Sequence, residues 1–208
     1  MSPRPRAISD EQILAATYRI VAQRGPNLTL ADVAKEAGVS PATLVQRFGS
    51  KRALLLALTA GASGNVAAEY ARIRAAHRSP LAATFAVAEC MAAMAGTPEM
   101  MANSLAFLQI DLTDPEFHKH AHAHSRASQA ELKKLLDEAV RAGEVRRCDT
   151  TRLARAVQSL MGGSMLQWAI DRDTTVVTRL REDLAALLDP LCRPRRRRAA
   201  QRTRRPQH

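Results

Sequence analysis

Apolar residues recur every three to four positions along most of the chain, and that spacing predicts helices. In SDEQILAATYRIVAQRG (Ser9–Gly25), Ile13, Ala16, Thr17, Ile20 and Val21 fall on one face. Ser9 stands as an N-cap before two acids, and Gly25-Pro26 ends the run. Thr29 begins a second helix with a T-x-x-D capping pattern, and Leu30, Val33, Ala34 and Ala37 keep the helical spacing. Gly38 fits the left-handed residue that closes it. A third helix is expected over Pro41–Phe48, and a long fourth from Ser50 to about Ala76, which Gly61–Gly64 is expected to bend. Further helices are predicted over Leu81–Ala95, Glu99–Leu112, Pro115–Ala142, Thr151–Asp171 and Thr175–Leu191, separated by turn residues such as Ser79-Pro80 and Gly96-Thr97-Pro98. No segment alternates with period two. The reading is all-α, with about nine helices.

The third segment breaks the apolar pattern. In SPATLVQRF (Ser40–Phe48) only Leu44 and Phe48 are placed to turn inward, which leaves Thr43, Gln46 and Arg47 outward. A helix, a glycine-centred turn and a short helix with a polar outer face make a helix-turn-helix, whose second helix enters the DNA major groove. Arg can donate to guanine and Gln can pair with adenine edges there. Thr29 and Lys51, at the starts of the flanking helices, are suited to phosphates.

Composition agrees. Of the 208 residues, 46% are hydrophobic and only 3% aromatic, so Ala, Leu, Val and Met must build the core. Residues 1–58 hold eight Lys/Arg against four Asp/Glu, residues 59–192 are nearly balanced, and residues 193–208 hold eight arginines and no acid. The excess of +11 thus sits at the two ends, which implies a polyanionic partner for them. Three scattered cysteines (Cys90, Cys148, Cys192) point to a reducing compartment. Neither a secretory leader nor an apolar run of roughly 18 residues is read, so a soluble, cytoplasmic protein without membrane contact is expected.

The run TLADVAKEAGVSPATLVQRFGSKRALLLAL (Thr29–Leu58) resembles the DNA-binding domain of TetR-family transcriptional repressors. Thr29, Val33, Ala34, Gly38, Val39, Ser40, Thr43, Leu44, Phe48, Ser50, Lys51, Leu54 and Leu55 stand at the family's motif positions. Val45 replaces a common Tyr, Ala42 a frequent Gly, and Arg47 a frequent His or Tyr. The resemblance implies a DNA-contact set of Thr29, Ser40, Pro41, Ala42, Thr43, Val45, Gln46, Arg47 and Lys51. It also implies a C-terminal domain that binds a small effector and forms a homodimer through its last two long helices. The partners expected are therefore a double-stranded DNA operator, a small molecule and a second copy. The domain reading is a flexible basic arm (1–8), a DNA-binding domain (9–58), a ligand-sensing and dimerisation domain (59–192) and a disordered Arg-rich tail (193–208).

For the effector, pliable or aromatic side chains are the candidates to line an apolar pocket: Phe85, Met91, Met94, Met101, Phe107, Leu108, Met165 and Trp168, with Met100 beside them. Each of them also reads as ordinary core. Gly162-Gly163-Ser164 would let two backbones approach closely. In HKHAHAHS (His118–Ser125) the pairs His118/His122 and His120/His124 lie on opposite faces of a helix, so four ligands cannot converge. A two-His site completed by Asp111 or Glu116 competes with the preferred reading, a solvated or pH-sensitive helix start. No metal or cofactor is expected. The chain carries no P-loop, dinucleotide fingerprint, zinc-hydrolase motif or nucleophile elbow, so an enzyme is not expected. For the tail, auxiliary nucleic-acid contact and simple solvation both stay open, while Arg4 or Arg6 is suited to a minor groove. The rival to a ligand-responsive repressor is a sequence-indifferent architectural nucleic-acid binder driven by that tail.

Overall fold

Among the described residues, nine capped sequences become nine α-helices. The computed structural model describes residues 8–192, the side chain of Ser63 excepted. The helices are α1 (Asp10–Arg24), α2 (Leu30–Ala37), α3 (Pro41–Phe48), α4 (Lys51–Ala76), α5 (Pro80–Ala95), α6 (Pro98–Thr113), α7 (Pro115–Arg141), α8 (Thr150–Asp171) and α9 (Val176–Leu188). Each starts on a Ser, Thr or Asp whose side chain accepts a first-turn amide, from Ser9 on α1 to Thr175 on α9. A Ser or Thr cap of this kind contributes about 1 kcal/mol. Pro41, Pro80, Pro98 and Pro115 occupy first-turn positions, where a missing N–H costs nothing. The only β contact among the described residues is an isolated antiparallel bridge between Val145 and Cys192.

Small departures from the predicted bounds have local causes. Asp149 caps α8, so that helix begins at Thr150. Pro190 cannot extend α9, and Asp189–Leu191 forms a short 3-10 turn instead. Helix α4 runs through Gly61–Gly64 without interruption. Its two halves serve different cores, which holds the whole helix in place.

One core gathers Ile13 and Ile20 of α1, Val33 and Ala34 of α2, Leu44 of α3, and Leu54 and Leu55 of α4. Phe107 of α6 and Phe117 of α7 complete it. The larger core joins Val66, Tyr70 and Ile73 of α4 to α5, to Leu132, Leu135 and Leu136 of α7, and to α8 and α9. Thus α4, α6 and α7 reach both clusters. The N-terminal helices are seated on α6 where the Asn103 amide donates to the Ala22 carbonyl at 3.1 Å. Gly25 passes there with φ +58°, and a Cβ at that position would stand 3.1 Å from Asn103 Oδ1. Among the described residues, no single helix is long and apolar enough to cross a membrane.

Candidate nucleic-acid interface and cavity

The turn between α2 and α3 closes as its sequence demands. Gly38 takes the left-handed conformation (φ 69°, ψ 32°), and its N–H donates to Ala34 and Lys35 carbonyls. Ser40 Oγ accepts the Thr43 amide at 3.1 Å and lies 2.9 Å from Thr43 Oγ1. Leu44 is fully buried and Phe48 packs against the same core, so α3 is pinned along one side. Pro41, Ala42, Val45, Gln46 and Arg47 are exposed on the rest of the helix, with Thr43 half-buried. Val45 is 48% exposed. The exposed Gln46 side chain makes no hydrogen bond with the described residues and presents both its donor and its acceptor.

Arg47 and Lys51 are engaged within the chain. The Arg47 guanidinium donates to the Ile8 carbonyl at 2.6 Å and pairs with Asp10, the first residue of α1. This differs from a free reader: the reading helix is tied to the point where the N-terminal arm joins α1. The arm itself, with Arg4 and Arg6, lies outside the described residues. Lys51 Nζ donates to the Pro26 carbonyl at 2.6 Å, which ties α4 to the α1–α2 turn. Thr29 spends its hydroxyl in a capping box with Asp32, whose carboxyl is held below the ordinary range first by the Thr29 backbone N–H and then by that hydroxyl. Spacing alone gave no sign of the Arg47–Asp10 pair, because the partners are 37 positions apart.

A second group of charges joins the two cores. Arg52 donates to both oxygens of Asp114, at 3.0 and 2.8 Å, pairs with Glu116, and lies 5.6 Å above the Phe117 ring. Asp114 is also the N-cap of α7, and Arg52 holds its carboxyl below the usual value. Near this junction on α6, Asp111 is different. Its Oδ1 is shielded and has no hydrogen-bond partner among the described residues, and burial pushes the carboxyl up from 3.8 to about 6. The folded chain then binds this proton more tightly than the unfolded one, so stability is lost as pH rises through the window from 3.8 to 6. Asp111→Asn is expected to raise the melting temperature above pH 6 and to leave it unchanged below about pH 4. A melting series across that range reads the difference, and a uniform shift would show that the carboxylate charge is not its source.

The larger core holds a cavity of about 410 Å³ between α4, α5, α7 and α8. Leu132 and Met161, both buried, form its floor, with Val66, Tyr70, Ile73 and Val87 on the walls. Ala62, Asn65, Met94 and His124, all exposed, lie at its rim. Polar groups interrupt this lining: Glu69, Cys90, Ser128 and Gln158. Of the candidates named from sequence, Met91 and Met94 line the cavity. The others lie elsewhere. Phe85 packs under Arg181 on the α9 side, 5.8 Å from its guanidinium. Met101 is buried in the larger core, and Met165 packs against it. Phe107 stands edge-on to Phe117 in the N-terminal core, with ring centroids 6.1 Å apart. Leu108 is exposed on α6, and Trp168 donates from Nε1 to the Thr174 carbonyl, closing the α8–α9 turn. Met101, Phe107 and Leu108 share a cause in α6, which runs toward the N-terminal helices and contributes no side chain to the cavity. The cavity residues that sequence reading missed had a faint signal, since His124, Ser128 and Leu132 repeat every four positions on α7.

On the outer face of α7 the His118 and His122 rings stack at 6.3 Å. No group of three or more His, Cys, Asp or Glu among the described residues is arranged to hold a metal ion.

Comparison with known proteins agrees with this geometry. Residues 13–58 match the profile of bacterial regulatory proteins of the tetR family, and residues 80–193 match that of the BetI-type transcriptional repressor C-terminal domain. The chain belongs to the TetR family. Transcription regulation through DNA binding by the helix-turn-helix, with a ligand-binding C-terminal domain, follows from that membership. No curated protein matches the sequence. Solved TetR-family structures share the fold at low identity. A regulator from Haloarcula marismortui ATCC 43049 superposes with a TM-score of 0.72 at 17% identity, over 88% of this chain and 98% of its own. One from Agrobacterium tumefaciens gives 0.69 at 18% identity, over 88% and 97%. FadR from Bacillus subtilis, solved with stearoyl-CoA, gives 0.67 at 17% identity, over 88% and 100%.

Proposed function

We propose that this TetR-family chain is a cytoplasmic, ligand-responsive repressor and not an enzyme, acting as a homodimer on a palindromic operator. Residues 9–58 form its DNA-binding domain and residues 59–192 its sensor and dimerisation domain. The observation that carries the reading is α3, a helix whose apolar anchors are Leu44 and Phe48 and whose other side offers Thr43, Val45 and Gln46 to solvent. Two such helices related by a two-fold axis read half-sites about one DNA turn apart, or a multiple of it. The operator is read by Gln46 and Thr43, with Val45 and Ala42 against base methyls and Ser40, Pro41, Thr29 and Lys51 near phosphates. Arg47 joins them only by exchanging Asp10 and the Ile8 carbonyl for DNA. Gln46→Ala is expected to lower discrimination at one base pair by about 1–3 kcal/mol, whereas Lys51→Ala weakens all sequences alike. Titrations against a set of single-base operator variants separate the two patterns.

The full chain titrated against DNA flanking its own gene, beside scrambled DNA at two salt concentrations, tests the repressor reading. A preference that survives at the higher salt supports it. Equal binding that collapses with salt favours the architectural binder instead.

Homodimerisation is supported by α8. Leu166 and Ile170 are 40% and 66% exposed there, and a Cβ on Gly162 or Gly163 would meet open space. A second copy would cover this surface. Gly163→Arg is expected to weaken self-association at least tenfold while leaving the fold intact, since it fills no internal space. Sedimentation velocity checks the first point and far-ultraviolet circular dichroism the second.

The effector occupies the 410 Å³ cavity and is apolar or amphipathic. No Lys or Arg among the described residues lines that cavity, so a polyanion such as the stearoyl-CoA bound by the Bacillus subtilis FadR is a poor fit. Effector binding shifts the equilibrium between DNA-competent and incompetent dimers by its different affinity for the two.

A further inference from the structure

Gln158 lies on α8 one helical turn before Met161, and both side chains face the cavity. Its Nε2 donates to Ser125 Oγ at 3.5 Å, the outer limit of a hydrogen bond. Its Oε1 is shielded from solvent and accepts from nothing among the described residues. Turning the amide over would give its oxygen to Ser125 and strand the NH₂ instead. One end of this amide therefore lacks a partner in either orientation, in a cavity whose walls are otherwise largely apolar. A buried polar group without a partner is unfavourable, and a ligand that supplies the missing bond removes that cost.

The charges around the cavity narrow the chemistry of that ligand. Among the described residues its one carboxylate, Glu69, is already held by Arg72, which donates from Nε at 3.1 Å and Nη2 at 2.6 Å. Arg72 also keeps Glu69 ionised by lowering its pKa. The Cys90 thiol donates to the same carboxylate at 3.6 Å, and burial keeps the Tyr70 phenol neutral by pushing it up to about 12. An anionic ligand would enter beside Glu69 with no Lys or Arg among the described residues lining its site. A quaternary ammonium ion would bring no donor to Gln158, and Glu69 would have to leave Arg72 to neutralise it. A hydroxyl group both donates and accepts, so it completes the amide in either orientation without adding charge.

We propose that Gln158 is the polar anchor of this cavity, and that the effector is a neutral apolar molecule carrying a hydroxyl group. This rests on the cavity being the effector site. Calorimetric titration of the full chain with n-decanol, decanoate and decyltrimethylammonium tests it, three probes that share one tail and differ in the head. Decanol is expected to bind at least tenfold more tightly than either ion. Gln158→Met, of similar length and without the amide, is expected to weaken decanol about tenfold and to leave the two ions unchanged. Gln158→Glu provides a second variant of the same shape, and it should move the preference from decanol toward the ammonium ion. Met91→Trp, which fills the cavity, should block all three probes.

Equal affinity for the three heads, or a decanol preference that survives in both Gln158 variants, overturns the anchor while Met91→Trp still reports on the cavity. Absence of binding by every probe, or binding that Met91→Trp does not touch, overturns the effector site and the anchor with it.

Discussion

Phe117→Ala is expected to destabilise the protein by about 3–5 kcal/mol, the range for removing a buried phenyl ring. Phe117 is 2% exposed, yet it belongs to α7 while its neighbours belong to the N-terminal core. Its ring and that of Phe107 stand nearly perpendicular, at an interplanar angle of 82°. On another side it carries the Arg52 guanidinium that pairs with Asp114 and Glu116. Truncation would leave a cavity between the reading head and the helices that hold it. Arg52→Ala is the informative companion. That side chain is about half exposed, so its ion pairs are solvated and screened and should contribute far less than the ring. Urea unfolding of the two variants compares them directly. If Arg52→Ala costs as much as Phe117→Ala, charge and not apolar burial joins the two cores, and this assignment is wrong.

The same junction explains what the sequence made legible. Helix starts were readable because each carries its own local signal, a Ser, Thr or Asp cap, often with Pro after it. The reading helix was readable because Leu44 and Phe48 leave a polar face that no core requires. The cavity was harder to read. Phe107 and Met101 look like pocket residues by type, but their place depends on where α6 packs, and helical periodicity does not say which neighbour a face meets. Conversely, Gln158 and His124 look like ordinary surface residues of long helices. They become cavity residues only because α7 and α8 pack beside the second half of α4. Arg47 shows the same limit for charge: its outward position followed from spacing, and its engagement with Asp10 followed from the fold.

Leu44→Ala is expected to remove operator binding while leaving the larger core folded. Leu44 is the one residue of α3 that is fully buried, and α3 has only eight residues. A helix that short has no stability of its own in water and persists through its packing. Losing this side chain costs about 2–5 kcal/mol, the range for a buried leucine whose neighbours relax only partly into the space. Affinity for DNA then falls in proportion to the fraction of molecules with α3 still docked, at least tenfold by this reckoning. None of the residues lining the cavity between α4, α5, α7 and α8 belongs to this core, so decanol binding there should be retained. Val45→Ala makes the contrast. It removes an exposed side chain from the same helix and should change stability by less than about 0.5 kcal/mol, while still altering affinity where Val45 meets DNA. Hydrogen exchange distinguishes the two variants, with α3 amides losing protection in Leu44→Ala alone and those of α7–α9 keeping it in both. Should α3 stay protected without Leu44, the helix is held by Phe48 and its caps, and the anchoring argued from burial does not stand.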